Sequence, residues 1–229
     1  MLSLHGYGSS ILEGTILTLE VSIFSLLLAM LLGMAGAVAK LSSFRPLSIV
    51  ATGYTTIIRG IPDLVLMLLV FFGGQVFVNQ LALLVGYEEY IDINPFIAGV
   101  GTIGFIFGAY MTETFRGAIL AVNRGQLEAG AAYGMSNVMV FRRILLPQMV
   151  RHALPGFGNN WLVLVKTTAL VSIIGLDDMV RKAALAAGAT RKPFTFYVVV
   201  ALNYLLITTV SIYLLKYLEN RYSAGVRRD

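Results

Sequence analysis

The chain has 229 residues, of which 57% are hydrophobic and only 13% charged, and its mean hydropathy is +0.80. A water-soluble domain carries about a quarter of its residues as charges, so this composition excludes an ordinary soluble fold and points to lipid as the solvent. There is no cysteine, which excludes disulfides and thiolate metal sites, and the only two histidines, His5 and His152, are far apart in the sequence and give no sign of a histidine metal cluster. The net charge is +5, but the basic residues are scattered between apolar runs instead of forming one patch, so membrane topology explains them better than nucleic acid does.

Residues 1–10 lack the basic start of a cleaved signal peptide, so the first apolar run is read as a retained anchor. A bilayer core needs about 20 apolar residues in a helix. Five segments meet or approach that length: 16–39, interrupted only by Glu20; 64–85, without a charge; 96–115, with Glu113 near its end; 153–176, more polar, with Asn159, Asn160 and Lys166; and 194–215, again uncharged. The chain is therefore expected to form one all-α membrane domain over residues 1–229. Glycines recur inside the spans, at Gly33 and Gly36, Gly73 and Gly74, and Gly99, Gly101 and Gly104. Where lipid gives helices no hydrophobic reason to associate, such small residues let them approach closely.

Residues 47–60 include Thr52, Thr55, Thr56 and Arg59 and are too polar and short to span alone. They read as an amphipathic helix at the interface ended by Gly60 and Pro62, or as a tilted beginning of the second span. Five spans place the termini on opposite faces. One face then holds Lys40, Arg45, Arg59, Arg116, Arg124, Arg142, Arg143, Arg151, Lys216, Arg221, Arg227 and Arg228, twelve in all. The other holds four, Arg181, Lys182, Arg191 and Lys192, with Glu13, Glu88, Glu89, Asp92, Asp177 and Asp178. Basic loops stay in the cytosol, which predicts an external N-terminus and a cytosolic C-terminus.

Residues 122–147 form the one large cytosolic loop and carry their own helix signals. Asn123 is a capping residue with Gln126 three positions on, and Gly134 is suited to ending that helix. Ser136 then caps a second helix with Val138, Met139, Phe141, Ile144 and Leu145 as its apolar face, closed by Leu146 and Pro147. Two short helices around a glycine turn make a docking knob.

That loop resembles the coupling signature of ABC importer permeases. Glu128-Ala129-Gly130, three residues, Gly134, nine residues, Ile144, one residue, then Leu146-Pro147 repeats the family spacing, with Gly130 where the family usually has alanine. A glycine there loosens the first helix by up to about 1 kcal/mol. Arg59-Gly60-Ile61-Pro62, Glu113-Thr114-Phe115-Arg116-Gly117-Ala118 and Lys166-Thr167-Thr168-Ala169-Leu170-Val171-Ser172 are similar to three further blocks of the polar amino-acid permeases. With Gly53-Tyr54-Thr55-Thr56 and Arg221-Tyr222-Ser223, the likeness covers nearly the whole chain, nearest to the histidine/lysine/arginine/ornithine type and its arginine and opine relatives.

The resemblance implies the MetI-like permease fold of type I ABC importers, in a bacterial inner membrane. It implies a second permease subunit, identical or homologous, a dimeric ATPase and an extracytoplasmic amino-acid-binding protein as partners. This chain has no Gly-rich Lys-Ser/Thr phosphate loop, so ATP and Mg belong to the ATPase, and no cofactor or catalytic residue is expected here. The coupling residues are Glu128, Ala129, Gly130, Gly134 and Pro147, with Glu128 either bonding the ATPase surface or capping the coupling helix.

For the substrate path, ionisable and polar groups inside spans are the default candidates: Asp63, Glu113, Asn160, Thr167 and Thr168, with Glu20, Lys166 and Asn159 behind them. Glu113 is at helical pairing distance from Arg116, and Arg59 is its other possible ion-pair partner. Asp63 either caps the second span or guides a cationic side chain. Many relatives have a carboxylate where Thr167 stands, which argues against simple transfer of a cation site to this chain. The function read is permease for polar, basic amino acids. The alternatives are an opine or neutral amino-acid permease, or a secondary transporter working alone, against which the absence of an internal repeat argues.

Overall fold

The computed structural model describes residues 4–223 and is helical, with no strand among them. Arg227 and Arg228, two of the twelve basic residues used for orientation, lie outside the described residues. The backbone runs through α1 (Gly8–Leu41), α2 (Arg45–Gly60), α3 (Asp63–Leu84), α4 (Pro95–Leu120), α5 (Arg124–Ala132), α6 (Asn137–Val140), α7 (Leu146–Thr167), α8 (Met179–Thr190) and α9 (Pro193–Ser223). Helices α1, α3, α4 and α9 are each long and apolar enough to cross a membrane. The more polar α7 packs between α4 and α9 as the fifth member of the bundle.

Helices α1 and α4 form the spine of the bundle. The buried positions of α1 are Ile11, Gly14, Thr18, Val21, Ser22, Ser25, Ala29, Gly33 and Ala37, a stripe of mostly small residues at three- and four-residue spacing. That spacing keeps them on one face, and their size lets two backbones close. A Cβ on Gly33 would overlap Met111, one on Gly104 would come within 2.6 Å of Leu28, and one on Gly108 within 2.8 Å of Leu32. Gly73 and Gly74 have no such neighbour: a Cβ there would meet only the tip of Leu69 or Ile93, at 4.0 and 3.9 Å. Two hydroxyls in the stripe satisfy themselves within the helix, Thr18 on the Gly14 carbonyl at 2.8 Å and Ser22 on the Thr18 carbonyl at 2.7 Å, while Ser25 donates across to the Val100 carbonyl of α4 at 3.4 Å. Apolar surroundings offer them no water, so this pairing is what makes them tolerable.

Helix α2 packs against both α1 and α4, held by Tyr54, whose hydroxyl donates to the Phe105 carbonyl at 2.5 Å. Its packing on α1 and α4 is compatible with both sequence readings, and α3 follows it after the break at Ile61 and Pro62.

Two segments depart from the sequence expectation. Leu146-Pro147 does not close the second helix of the knob. Residues 141–145 form a π turn that leads from α6 directly into α7. A proline displaces the carbonyl four residues before it, and a widened turn just upstream absorbs that clash without breaking the helix. The fourth predicted span, 153–176, is α-helical only to Thr167. Thr168–Ser172 then tightens into a 3-10 turn. There the Thr168 and Ser172 hydroxyls donate to carbonyls three residues back, at 2.6 and 2.7 Å.

The external segment expected between the fourth and fifth spans contains a full helix, α8. Asp178 caps it, accepting from the Arg181 N–H at 2.9 Å. Met179, Ala183, Ala186 and Ala187 pack with Ile11, Phe196 and Val200 into a second small core at the end of the molecule where α1 begins.

Candidate functional site

The knob takes shape from local rules. Asn123 accepts from the Gly125 N–H at 2.8 Å and starts α5. Gln126 does not complete the expected capping box, and its amide oxygen instead accepts from Gln148 at 2.6 Å. At the other end of α5, Gly134 has φ +82°, and two reversed bonds close the helix: Gly134 N–H to the Ala131 carbonyl at 2.9 Å and Met135 N–H to the Gly130 carbonyl at 3.1 Å. This turn needs a left-handed residue after the helix, which glycine supplies without strain.

Gly130 is the buried residue of α5, and a Cβ there would lie 2.6 Å from the Ile144 terminal methyl. Two motif positions fourteen residues apart therefore touch. Glu128 and Ala129 point outward. Glu128 makes no side-chain hydrogen bond among the described residues and caps neither knob helix there; Asn123 caps α5 and Ser136 caps α6. Around them Tyr133 is 89% exposed and Val138 67% exposed, with Phe141 nearly half exposed. Of the apolar face expected for the second helix, Ile144 and Leu145 turn partly inward, while Val138, Met139 and Phe141 face outward. An apolar, partly aromatic surface on a free-standing pair of helices is the signature of a protein interface.

The second polar centre lies where α1, α2 and α4 converge. Glu113 receives the Lys40 ammonium at 2.5 Å on one oxygen and the Arg116 guanidinium at 3.0 Å on the other. Lys40 also donates to Thr55 at 2.9 Å. The sequence reading named Arg116 and Arg59 as possible partners of Glu113 and missed Lys40, which comes from 73 positions away. Arg59 is instead placed over the Tyr110 ring, 5.3 Å from its centre. Together Lys40, Thr55, Thr56, Arg59, Gly60, Tyr110 and Glu113 line a cavity of about 480 Å³.

The other candidates are dispersed. Asp63 is half-buried at the first position of α3, but its side chain makes no cap bond and no ion pair among the described residues. Asn160 is buried against α4, donating to Thr114 at 3.0 Å. Thr167 and Thr168 spend their hydroxyls on the Val163 and Val165 carbonyls. Glu20, Asn159 and Lys166 are exposed on the outside of their helices. Of the five substrate-path candidates, only Glu113 lines the Lys40–Arg59 cavity.

The described residues thus form an all-helical bundle of membrane-length apolar helices with a pair of short helices projecting at the Lys40 end. A family model described as "Binding-protein-dependent transport system inner membrane component" matches residues 22–224. The chain is 52% identical to the "Histidine/lysine/arginine/ornithine transport system permease protein HisQ" of Salmonella typhimurium over 225 residues, 98% of each chain. It is 43% identical to the "Octopine transport system permease protein OccQ" of Rhizobium radiobacter, over 97% of this chain and 94% of the other. Among solved structures, an amino acid ABC transporter crystallised with histidines superposes with a TM-score of 0.81 at 33% identity, over 96% of this chain and 97% of that one. The chain belongs to the binding-protein-dependent transport system inner membrane components.

Proposed function

We propose that the chain is the permease subunit of an ABC importer that moves basic amino acids, arginine, lysine, ornithine and histidine, into the cytosol. The observation that carries this is the 52% identity to a permease of that substrate group over essentially both full lengths. The knob supports the coupling part of the reading. ATP and Mg bind on a separate ATPase dimer, whose surface receives α5 and α6 around Glu128, Ala129, Gly130 and Gly134, with Pro147 at the root of α7. Closure of that dimer tilts the bundle between outward and inward states, a rigid-body change driven by contacts that differ between them. An extracytoplasmic binding protein delivers substrate, and a second permease, identical or homologous, completes the path.

In this reading the N-terminus is outside and the knob is in the cytosol. The test uses the cysteine-free chain within its assembled complex. Glu89→Cys should label with an impermeant thiol reagent from outside, and Asn137→Cys only after permeabilisation. Complex in proteoliposomes should take up radiolabelled arginine only with ATP and binding protein. Reversed labelling overturns the orientation. Uptake without an ATPase overturns the importer reading in favour of a secondary transporter. A second reading, an opine permease, is favoured by the 43% identity to the octopine relative, and octopine competing better than arginine in the same assay would select it.

A further inference from the structure

The cavity between α1, α2 and α4 has an excess of positive charge at its wall. Glu113 is its one carboxylate, and both oxygens are occupied, by Lys40 at 2.5 Å and Arg116 at 3.0 Å. Lys40 is itself engaged by Glu113 and Thr55 and only 13% exposed in its side chain. Arg59 differs. Its guanidinium is exposed, is within salt-bridge distance of no carboxylate among the described residues, and is backed by Tyr110 at 5.3 Å. The cavity, about 480 Å³, falls within the roughly 300–1,000 Å³ range of small-molecule sites. Such a wall repels a cationic side chain and attracts an anion. A guanidinium fork stacked on an aromatic ring is pre-organised to take a carboxylate through two parallel N–H bonds. The exposed Thr56 hydroxyl beside it is a further donor, because Thr55 is already spent on Lys40 and the Thr52 carbonyl.

We infer that this cavity is a cytosolic-side binding site for the α-carboxylate of an amino acid, with Arg59 as the residue that grips it. The inference rests on the amino-acid permease reading and deepens it. The carboxylate is common to every amino acid and opine, so this site serves the whole class without reading the side chain. Side-chain selection must then occur elsewhere, and Asp63, in the next helical turn beyond the Gly60–Pro62 break, carries the uncommitted negative charge suited to it. The occupant is a product on its way out, so cytosolic amino acid at high concentration also fills the site and slows transport.

The test uses the assembled complex without binding protein, in phosphatidylcholine nanodiscs, and reads its melting temperature during titration. L-arginine and N-acetyl-arginine, which both keep the carboxylate, should raise it. Agmatine, which is arginine without the carboxylate, should not. Arg59→Gln should weaken the arginine response by about tenfold or more, as expected for losing a charge-assisted pair, and Arg59→Lys should fall between. Co-purification of the ATPase with each variant reports assembly. An agmatine response equal to that of arginine, or an Arg59→Gln complex that assembles and binds arginine like wild type, overturns the site while leaving the importer reading intact. An Arg59-dependent rise on adding phosphatidylglycerol, with no response to arginine, overturns it in favour of a lipid phosphate. A wild-type complex that imports no amino acid in proteoliposomes removes the importer reading and the inference with it.

Discussion

The Lys40 ammonium lies 2.5 Å from the Glu113 carboxylate, joining the end of α1 to the last turns of α4 at the mouth of the Arg59 cavity. Lys40 is mostly covered, so removing its partner leaves a poorly solvated charge held only by Thr55. Glu113→Gln is expected to destabilise the complex by about 1–3 kcal/mol, between the limits for exposed and buried pairs. Lys40→Met added to Glu113→Gln should recover part of that loss. Thermal melting of the four members of the cycle measures the coupling, and additive losses would show that the pair contributes nothing.

The knob makes two opposite demands on its glycines. Gly134 sits at φ +82°, where a β-branched residue is strained by about 1–2 kcal/mol. Gly134→Val is therefore expected to release the ATPase on purification or to lower transport-coupled ATP hydrolysis. Gly130→Ala gains up to about 1 kcal/mol of helix propensity. Its new methyl, however, meets the Ile144 terminal methyl at 2.6 Å, which has to swing aside. The two effects oppose, so Gly130→Ala should melt and couple close to wild type. Wild-type coupling in Gly134→Val would show that the turn is not needed for docking.

Asp63 at the start of α3 has no partner among the described residues, so its charge contributes to helix stability only through the dipole, by about 0.3–1 kcal/mol. Asp63→Asn should leave assembly nearly unchanged. On the proposal that this charge guides the cationic side chain, arginine uptake falls while uptake of histidine at alkaline pH, where it is neutral, is spared. Equal effects on the two substrates would take Asp63 off the path.

Asp178, in the segment between α7 and α8, is wholly buried, and its second oxygen has no hydrogen-bond partner. Burial pushes its carboxyl from 3.8 up to about 6, against the opposing pull of the Arg181 and Val180 backbone N–H groups and the Arg181 charge, with Asp177 adding to the rise. The folded chain therefore binds a proton more tightly than the unfolded one. The stability this confers is complete below about pH 4 and is lost as pH rises through 6. A shift of this size is worth about 2–3 kcal/mol. Asp178→Asn keeps the cap and carries no charge, so it should melt higher than wild type at pH 7.5 and converge with it near pH 4. Parallel melting curves across that range would exclude Asp178 as the titrating group.

Much of this molecule was legible in its sequence because membrane proteins advertise themselves through periodic, local rules. The apolar runs follow from the length a bilayer demands, the glycine at 134 from the left-handed turn, and the all-α membrane class from those runs, while the family came from a resemblance of whole motif blocks. The small-residue stripe of α1 was visible as Gly33 and Gly36, whereas only the packed bundle shows that these two face α4 while Gly73 and Gly74 meet no other helix backbone among the described residues. Helix α8 was missed although its signals were present: Asp178 as a cap, an alanine-rich run, and Met179, Ala183, Ala186 and Ala187 on one face. A twelve-residue helix of small residues has too weak an apolar contrast to stand out beside 20-residue spans.

The polar centre belongs to tertiary structure. Lys40 and Glu113 are 73 residues apart, and nothing local distinguishes Lys40 from the other basic residues that mark its face of the membrane. Charges in a helical bundle find partners across helices, and the crossing of α1, α2 and α4 decides which ones meet. The sequence by itself determined what kind of protein this is and placed the turn at Gly134, whereas the π turn at 141–145 and the 3-10 turn at 168–172 came only with the fold. The packing of three helices decided which cation neutralises Glu113, and which, Arg59, is left to face the cavity.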